Sequence, residues 1–285
     1  MMIEETQAPR RLGGQSTGAN RRLGWKGLIA LCVGAAGLML GGCQSSSLDA
    51  KSLGLTELAY PHLELGQFAG HKPSDFPVHG IDVSKYQGEI DWDAVRDGGI
   101  AFAYLKATEG GDRLDEKFND NWRAAKAAGV PRGAYHFWYH CRPGIEQAAW
   151  FIRNVPKDRS ALPPVIDVEW TPFSPTCTKR PAREDLIREV TAMADKLEAH
   201  YGQRPILYIP IDVHRDRMVG AFPRHEVWAR AVADHPDNVY ENRAFRFWQY
   251  TEKGTVPGIS GGVDKNAFAG SRSDWAAWLK HHQGS

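Results

Sequence analysis

The sequence lacks a long apolar run. Its longest, "LIALCVGAAGLML", has thirteen residues from Leu28 to Leu40, fewer than the roughly 20 a helix needs to span a bilayer. An excess of charge is missing too: 35 Lys and Arg stand against 34 Asp and Glu. That balance excludes the basic footprint of a nucleic-acid binder. No internal repeat or low-complexity tract appears, and no His-Glu-x-x-His or comparable metal-ligand spacing is found. Cysteine is scarce, with four in 285 residues. What remains is ordinary globular sequence, 42% hydrophobic, enough for one large domain or two small ones.

The N-terminus stands apart. Residues 1–27 are polar and carry Arg10, Arg11, Arg21, Arg22 and Lys26. With the short apolar run behind them they read as a secretory signal. The run ends in "LGGC", which resembles the lipobox of bacterial lipoproteins, so residues 1–42 are expected to be removed and Cys43 lipidated. An ordinary signal peptide or a retained anchor is the alternative. "NRRLGWK" also resembles a twin-arginine signal without the usual bulky residue at Gly24. Gln44 after Cys43 resembles the outer-membrane-destined class, which gives an expected place in the bacterial cell envelope, facing the periplasm. The remaining chain holds 30 basic and 32 acidic residues. Residues 43–75, with no sustained period and several Gly, Ser and Pro, suit a tether reaching at most roughly 100–110 Å. Two cysteines lie beyond the lipid site, Cys141 and Cys177. In an oxidising compartment such a pair suggests a disulfide, against free buried thiols.

From residue 76 to about 281, strand and helix patterns alternate. "VHGIDVS", "IAFAYLKATEG", "PRGAYHFWY" and "LPPVIDVEW" read as strands, separated by the amphipathic "DEKFNDNWRAAKAAG" and other helical segments. "REDLIREVTAMADKLEAHYG" is the clearest helix, with Leu186, Val190, Met193 and Leu197 on one stripe and Gly202 beyond its end. "PILYIP", "EVWARAVA", "FRFWQYT" and "GGVDKNAF" add four strands with little helix between them. Eight strands, half of them alternating with helices, predict an α/β fold: a single irregular, TIM-like (β/α) barrel rich in parallel strands.

"PPVIDVEW" places Asp167 and Glu169 on one face at the C-terminal end of a buried strand. In such barrels that end meets substrate rather than core. Asp82 in "GIDVS" and Asp264 in "GGVDKNAF" repeat the arrangement. If the barrel closes, the first and last strands are neighbours and four acids share one cleft. Close carboxylates push at least one pKa upward, which keeps an acid protonated near neutrality. Capping of helices or pairing with Arg and Lys is the plainer reading for any one Asp, but not for the group. His79, His136 and His140 could join the acids around a metal; without ligand spacing, no metal and no cofactor is expected. Trp138, Tyr139, Trp170, Tyr208, Trp228, Trp248 and Tyr250 all fall near strand ends, where aromatic faces suit sugar rings. Two carboxyls flanking a polar bond are the equipment of glycoside hydrolysis. Same-face neighbours stand about 6.5–7 Å apart, between the retaining and inverting separations.

In order, "HGIDVSKYQGEIDW", "FAYLKATEG", "AAGVPRGAYHF", "PPVIDVEW", "PILYIP", "FWQYT" and "GGVDKNAFAG" resemble the motifs of the glycoside hydrolase family 25 lysozymes, over about residues 77–270. The resemblance implies cleavage of the β-1,4 bond between N-acetylmuramic acid and N-acetylglucosamine in peptidoglycan. By motif, Glu169 matches the general acid and Asp167 the residue assisting the 2-acetamido group, with net retention. Asp82 and Asp264 match supporting acids. Tyr135 and Tyr208 match residues lining the cleft, with Lys106, Trp228, Gln249 and Tyr250 as further substrate contacts. One departure stands out: the family commonly has Trp-x-Ala-x-Tyr on its sixth strand, whereas "VWARAVADH" keeps only Trp228. The insert "TPFSPTCTKRP" brings Cys177 beside the cleft, where a disulfide to Cys141 is expected. No repeated wall-binding module is expected after the domain. The lipid on Cys43 would hold a monomer at the membrane, with glycan strands as its partner. Two other readings remain open: a peptidoglycan-binding lipoprotein without catalysis, and a glycosidase acting on another N-acetylated polysaccharide.

Overall fold

The computed structural model describes residues 72–283. The expected signal peptide at 1–42, Cys43 and the expected tether as far as His71 lie outside the described residues. A single turn, Pro73–Asp75, leads into β1 (His79–Val83), α1 (Trp92–Asp97), β2 (Phe102–Glu109) and the two-residue β3 (Arg113–Leu114). Next come α2 (Phe118–Ala127), β4 (Arg132–Phe137), α3 (Gly144–Asn154), β5 (Val165–Asp167) and α4 (Arg183–Tyr201). The last third holds β6 (Ile206–Pro210), α5 (Ile211–Val213), β7 (Val227–Arg230), α6 (Pro236–Val239), β8 (Phe247–Gly254), β9 (Val263–Phe268) and α7 (Arg272–Gln283).

Side-chain order explains the helices. In α4 the stripe Leu186, Val190, Met193 and Leu197 is buried, and Gly202 ends the helix at φ 74°, a left-handed conformation glycine adopts without strain. Helices α5 and α6 are only three and four residues long, so the expected thinning of the second half holds.

The strands close. β1 pairs in parallel with β2 and antiparallel with β9, while the sequence β2, β4, β5, β6, β7, β8 is parallel throughout. β3 only folds back on the end of β2, so eight strands make the barrel. One detail differs from expectation. β8 and β9 form an antiparallel hairpin with no crossover helix, so β9 runs back from the mouth. Asp264 therefore reaches the mouth from near the start of its strand, not from its C-terminal end.

Alternation sorts residues between two buried layers. Phe102, Tyr104, Val165, Ile206, Trp228, Phe247 and Phe268 face inward and pack together. Ile81, Ala103, Leu105, Ala134, Ile166, Val168, Leu207, Ala229 and Trp248 face the surrounding helices. Large rings inside a narrow barrel need gaps opposite them. A Cβ on Gly80 would sit 2.4 Å from the Phe102 ring, and one on Gly133 would sit 2.2 Å from the Tyr104 ring. At the floor, Trp275 and Trp278 of α7 join the inner layer. Trp278 Nε1 donates to the Glu226 carboxylate at 3.0 Å, and Arg246 Nε donates to it at 2.7 Å.

Candidate active site

Above the packed aromatics the inward positions turn polar. Asp82, Lys106, Tyr135, Asp167, Glu169, Tyr208, Trp228, Arg230, Gln249 and Asp264 line one open cavity of about 400 Å³. The four acids named from the sequence are thus brought together. Asp82 and Asp264 are direct partners in the β1–β9 ladder. Asp167 ends β5, and Glu169 follows it with Val168 buried on the opposite face.

Two carboxyl pairs result, Asp82 with Asp264 and Asp167 with Glu169. Asp264 hydrogen-bonds to Asp82, which also accepts from Asn266 Nδ2 at 2.8 Å and Gln249 Nε2 at 3.1 Å. Burial raises Asp82 to about 6, against the pull of those donors. Burial together with the neighbouring Asp82 charge raises Asp264 to about 7. In the second pair the carboxyls of Asp167 and Glu169 hydrogen-bond to each other. Burial lifts Asp167 well above the usual range, and the charge of Glu169 adds to it. Glu169 is also raised by burial, with the Arg230 charge pulling the other way. One oxygen of Asp167, Oδ1, is buried without a protein partner.

The supports are mostly amides and phenols. Tyr208 Oη donates to Gln249 Oε1 at 2.8 Å, and Trp228 Nε1 donates to Asn266 Oδ1 at 2.8 Å. These bonds fix both amides with their N–H groups toward Asp82. Burial holds the Tyr135 and Tyr208 phenols well above their ordinary range, so they remain neutral donors. Lys106 donates to Glu109 at 2.8 Å and lies over the Phe137 ring. On the far side, His140 Nε2 donates to the Glu169 carbonyl oxygen at 2.7 Å, and its Nδ1 accepts from Trp138 Nε1 at 3.2 Å. The next residue, Cys141, forms a disulfide with Cys177, tying the loop after β4 to the loop after β5.

Tyr250 is a correction. Its hydroxyl meets His79 Nδ1 at 3.0 Å and its ring packs on Trp248, outside the cavity lining. The reason is parity: Gln249 points in, so Tyr250 points out. Of the seven aromatics at strand ends, only Tyr208 and Trp228 line the cavity. Trp138, Trp170 and Trp248 are buried in the outer layer, and Tyr139 bonds to Thr176. The histidines also serve the framework. His136 lies between Thr108 Oγ1 at 2.7 Å and Gln147 Oε1 at 3.0 Å. Sequence reasoning missed Asn266 and Arg230, although each stands two residues beyond a recognised inward residue, Asp264 and Trp228.

A barrel with two pairs of carboxyls at one mouth has the equipment of a glycoside hydrolase. The chain belongs to glycosyl hydrolases family 25, whose family model matches residues 81–259. It is 34% identical over 226 residues to the uncharacterized protein YegX of Escherichia coli (strain K12), covering 77% of this chain and 80% of that protein. It is 34% identical over 209 residues to Lysozyme M1 of Streptomyces globisporus, covering 68% of each chain. The solved family 25 glycosyl hydrolase from Bacillus anthracis superposes with a TM-score of 0.68 at 36% identity, over 75% of this chain and 99% of that one.

Proposed function

We propose that the protein is a muramidase hydrolysing the β-1,4 bond between N-acetylmuramic acid and N-acetylglucosamine in peptidoglycan. The observation that carries this reading is the Asp167–Glu169 pair, two hydrogen-bonded carboxyls at the cavity wall whose pKa values are both raised by burial. With the proton on Glu169, the pair supplies an acid for the leaving glycosidic oxygen and an anion at Asp167. Asp167 Oδ1, buried and without a protein partner, suits the N–H of a 2-acetamido group. Held there, the acetamido oxygen attacks the anomeric carbon as the bond to the leaving oxygen breaks. The intermediate then opens to water with net retention, and Glu169 as carboxylate takes the water's proton. Asp82 and Asp264 carry one further negative charge facing the developing positive charge on the sugar ring.

Purified peptidoglycan tests this. Wild type is expected to release reducing ends, and mass spectrometry of the products identifies the bond cut. Glu169→Gln is expected to lose about a thousandfold or more in kcat while remaining folded. Equal release by both proteins would remove Glu169 as general acid. Binding of glycan without release by either would favour the non-catalytic binder.

Lipidation of Cys43, with attachment to the envelope membrane as a monomer, is part of the same proposal and rests on the "LGGC" sequence alone. Cys43→Ser is expected to move the protein from the membrane to the soluble fraction of the producing cells. An unchanged distribution would contradict the anchor.

A further inference from the structure

Arg230 lines the cleft, and the reaction above leaves its charge unused. It stands on the inner face of β7, two residues beyond Trp228 and in register with Gln249 of β8. Its backbone is pinned: Arg230 N donates to the buried Tyr240 hydroxyl at 3.0 Å, and that hydroxyl lies 2.7 Å from Ile209 O. The guanidinium is not held so firmly. Its ion-pair partner is Glu252, and the two side chains are 29% and 44% exposed. A solvated pair of that kind contributes little and is cheap to open. Lys106, the other cation lining the cleft, is more deeply buried and committed to Glu109 and the Phe137 ring. The Arg230 charge also reaches Glu169, where it is the main influence opposing burial. A loosely paired arginine thus lines the same cleft as Glu169.

A guanidinium is a planar fork that matches a carboxylate through two parallel hydrogen bonds. Muramic acid carries a lactyl group whose carboxyl is an amide where a peptide stem is attached and a free carboxylate where the stem has been removed. We propose that Arg230 exchanges Glu252 for a free lactyl carboxylate, making the cleft selective for glycan strands stripped of their peptides. The inference rests on the muramidase reading. It also places the enzyme after a reaction of a defined class: hydrolysis of the amide between lactyl group and peptide stem must supply the preferred substrate. Glu252 then acts as the anion that occupies Arg230 when no such strand is bound.

The test compares release of reducing ends from three substrates: peptide-free strands, the same strands with their lactyl carboxyls converted to methylamides, and peptide-bearing strands. For wild type, kcat/KM is expected to be about tenfold higher on the free-carboxylate strands, chiefly through KM. Arg230→Gln abolishes that ratio, Arg230→Lys keeps part of it, and Glu252→Gln widens it by removing the competitor. Circular dichroism shows that each variant is folded. An unchanged ratio in Arg230→Gln overturns the inference, as does an equal fall on all three substrates, which would mean that Arg230 acts only on the proton of Glu169. A loss confined to peptide-bearing strands would also overturn it, since the bound carboxylate would then belong to the stem. No reducing ends from wild type on any strand would instead overturn the muramidase reading and this inference with it.

Discussion

A carboxyl that keeps its proton near neutrality couples folding to pH, and Asp264 is such a group. Its folded pKa of about 7 lies above its ordinary value of 3.8. Between those values the folded chain binds a proton that the unfolded chain has released. The stability from that proton is present below about pH 4 and is lost as pH rises through about 7. Asp264→Asn is always neutral, so its melting temperature relative to wild type is expected to improve steadily from pH 4 to pH 8. A pH-independent difference, measured by calorimetry in parallel, would show that Asp82 and Asp264 do not share a proton. Activity should fall with rising pH as well, because Glu169 donates only while protonated and its pKa is raised. All four acids were legible as residues on apolar strands. Asn266 was not, because an amide in a strand has no chemical signature until its hydrogen bond to Asp82 is seen.

Among the elements, the loops after β4 and β5 illustrate how remote covalent structure reaches the acid. The disulfide between Cys141 and Cys177 closes a 36-residue separation, worth roughly 3–4 kcal/mol in the chain-entropy account. His140, beside Cys141, holds the Glu169 carbonyl and packs at a tilt against Trp170. Replacing both cysteines by serine is therefore expected to lower stability by about that amount. It should also lower kcat more than it raises KM, because Glu169 loses the fixed end of its support. Chemical denaturation and steady-state kinetics measure the two effects separately. Both loops could be placed in the sequence, whereas the aromatics around them were misjudged as a group. Proximity to a strand end does not choose a face; the two-residue repeat does, and Gln249 in the cleft already required Trp248 and Tyr250 to lie outside it.

Taken whole, the molecule has a chemical end and a structural end. Trp275 and Trp278 close the floor, and the partly buried Glu226 is held between Arg246 and the Trp278 indole N–H. Trp278→Ala is expected to cost about 3–5 kcal/mol, measured by urea unfolding. The cost should sit at the upper part of that range, since the partly buried Glu226 carboxylate also loses a donor. The barrel and its alternating first half were legible from hydrophobic pattern. The role of "DWAAWLKHHQ" as a floor was not, because a helix with two tryptophans does not announce which opening it covers. Nor did the pattern reveal the reversal of β9, which has a consequence for variation. Sliding β9 by one residue along β1 would put Val263 or Lys265 opposite Asp82, and sliding it by two would bring Asn266 there. Neither shift leaves an acid facing an acid. Lengthening of the chain between β8 and β9 can be tolerated only if it bulges away from the barrel, so the contact between Asp82 and Asp264 also locks the hairpin's alignment.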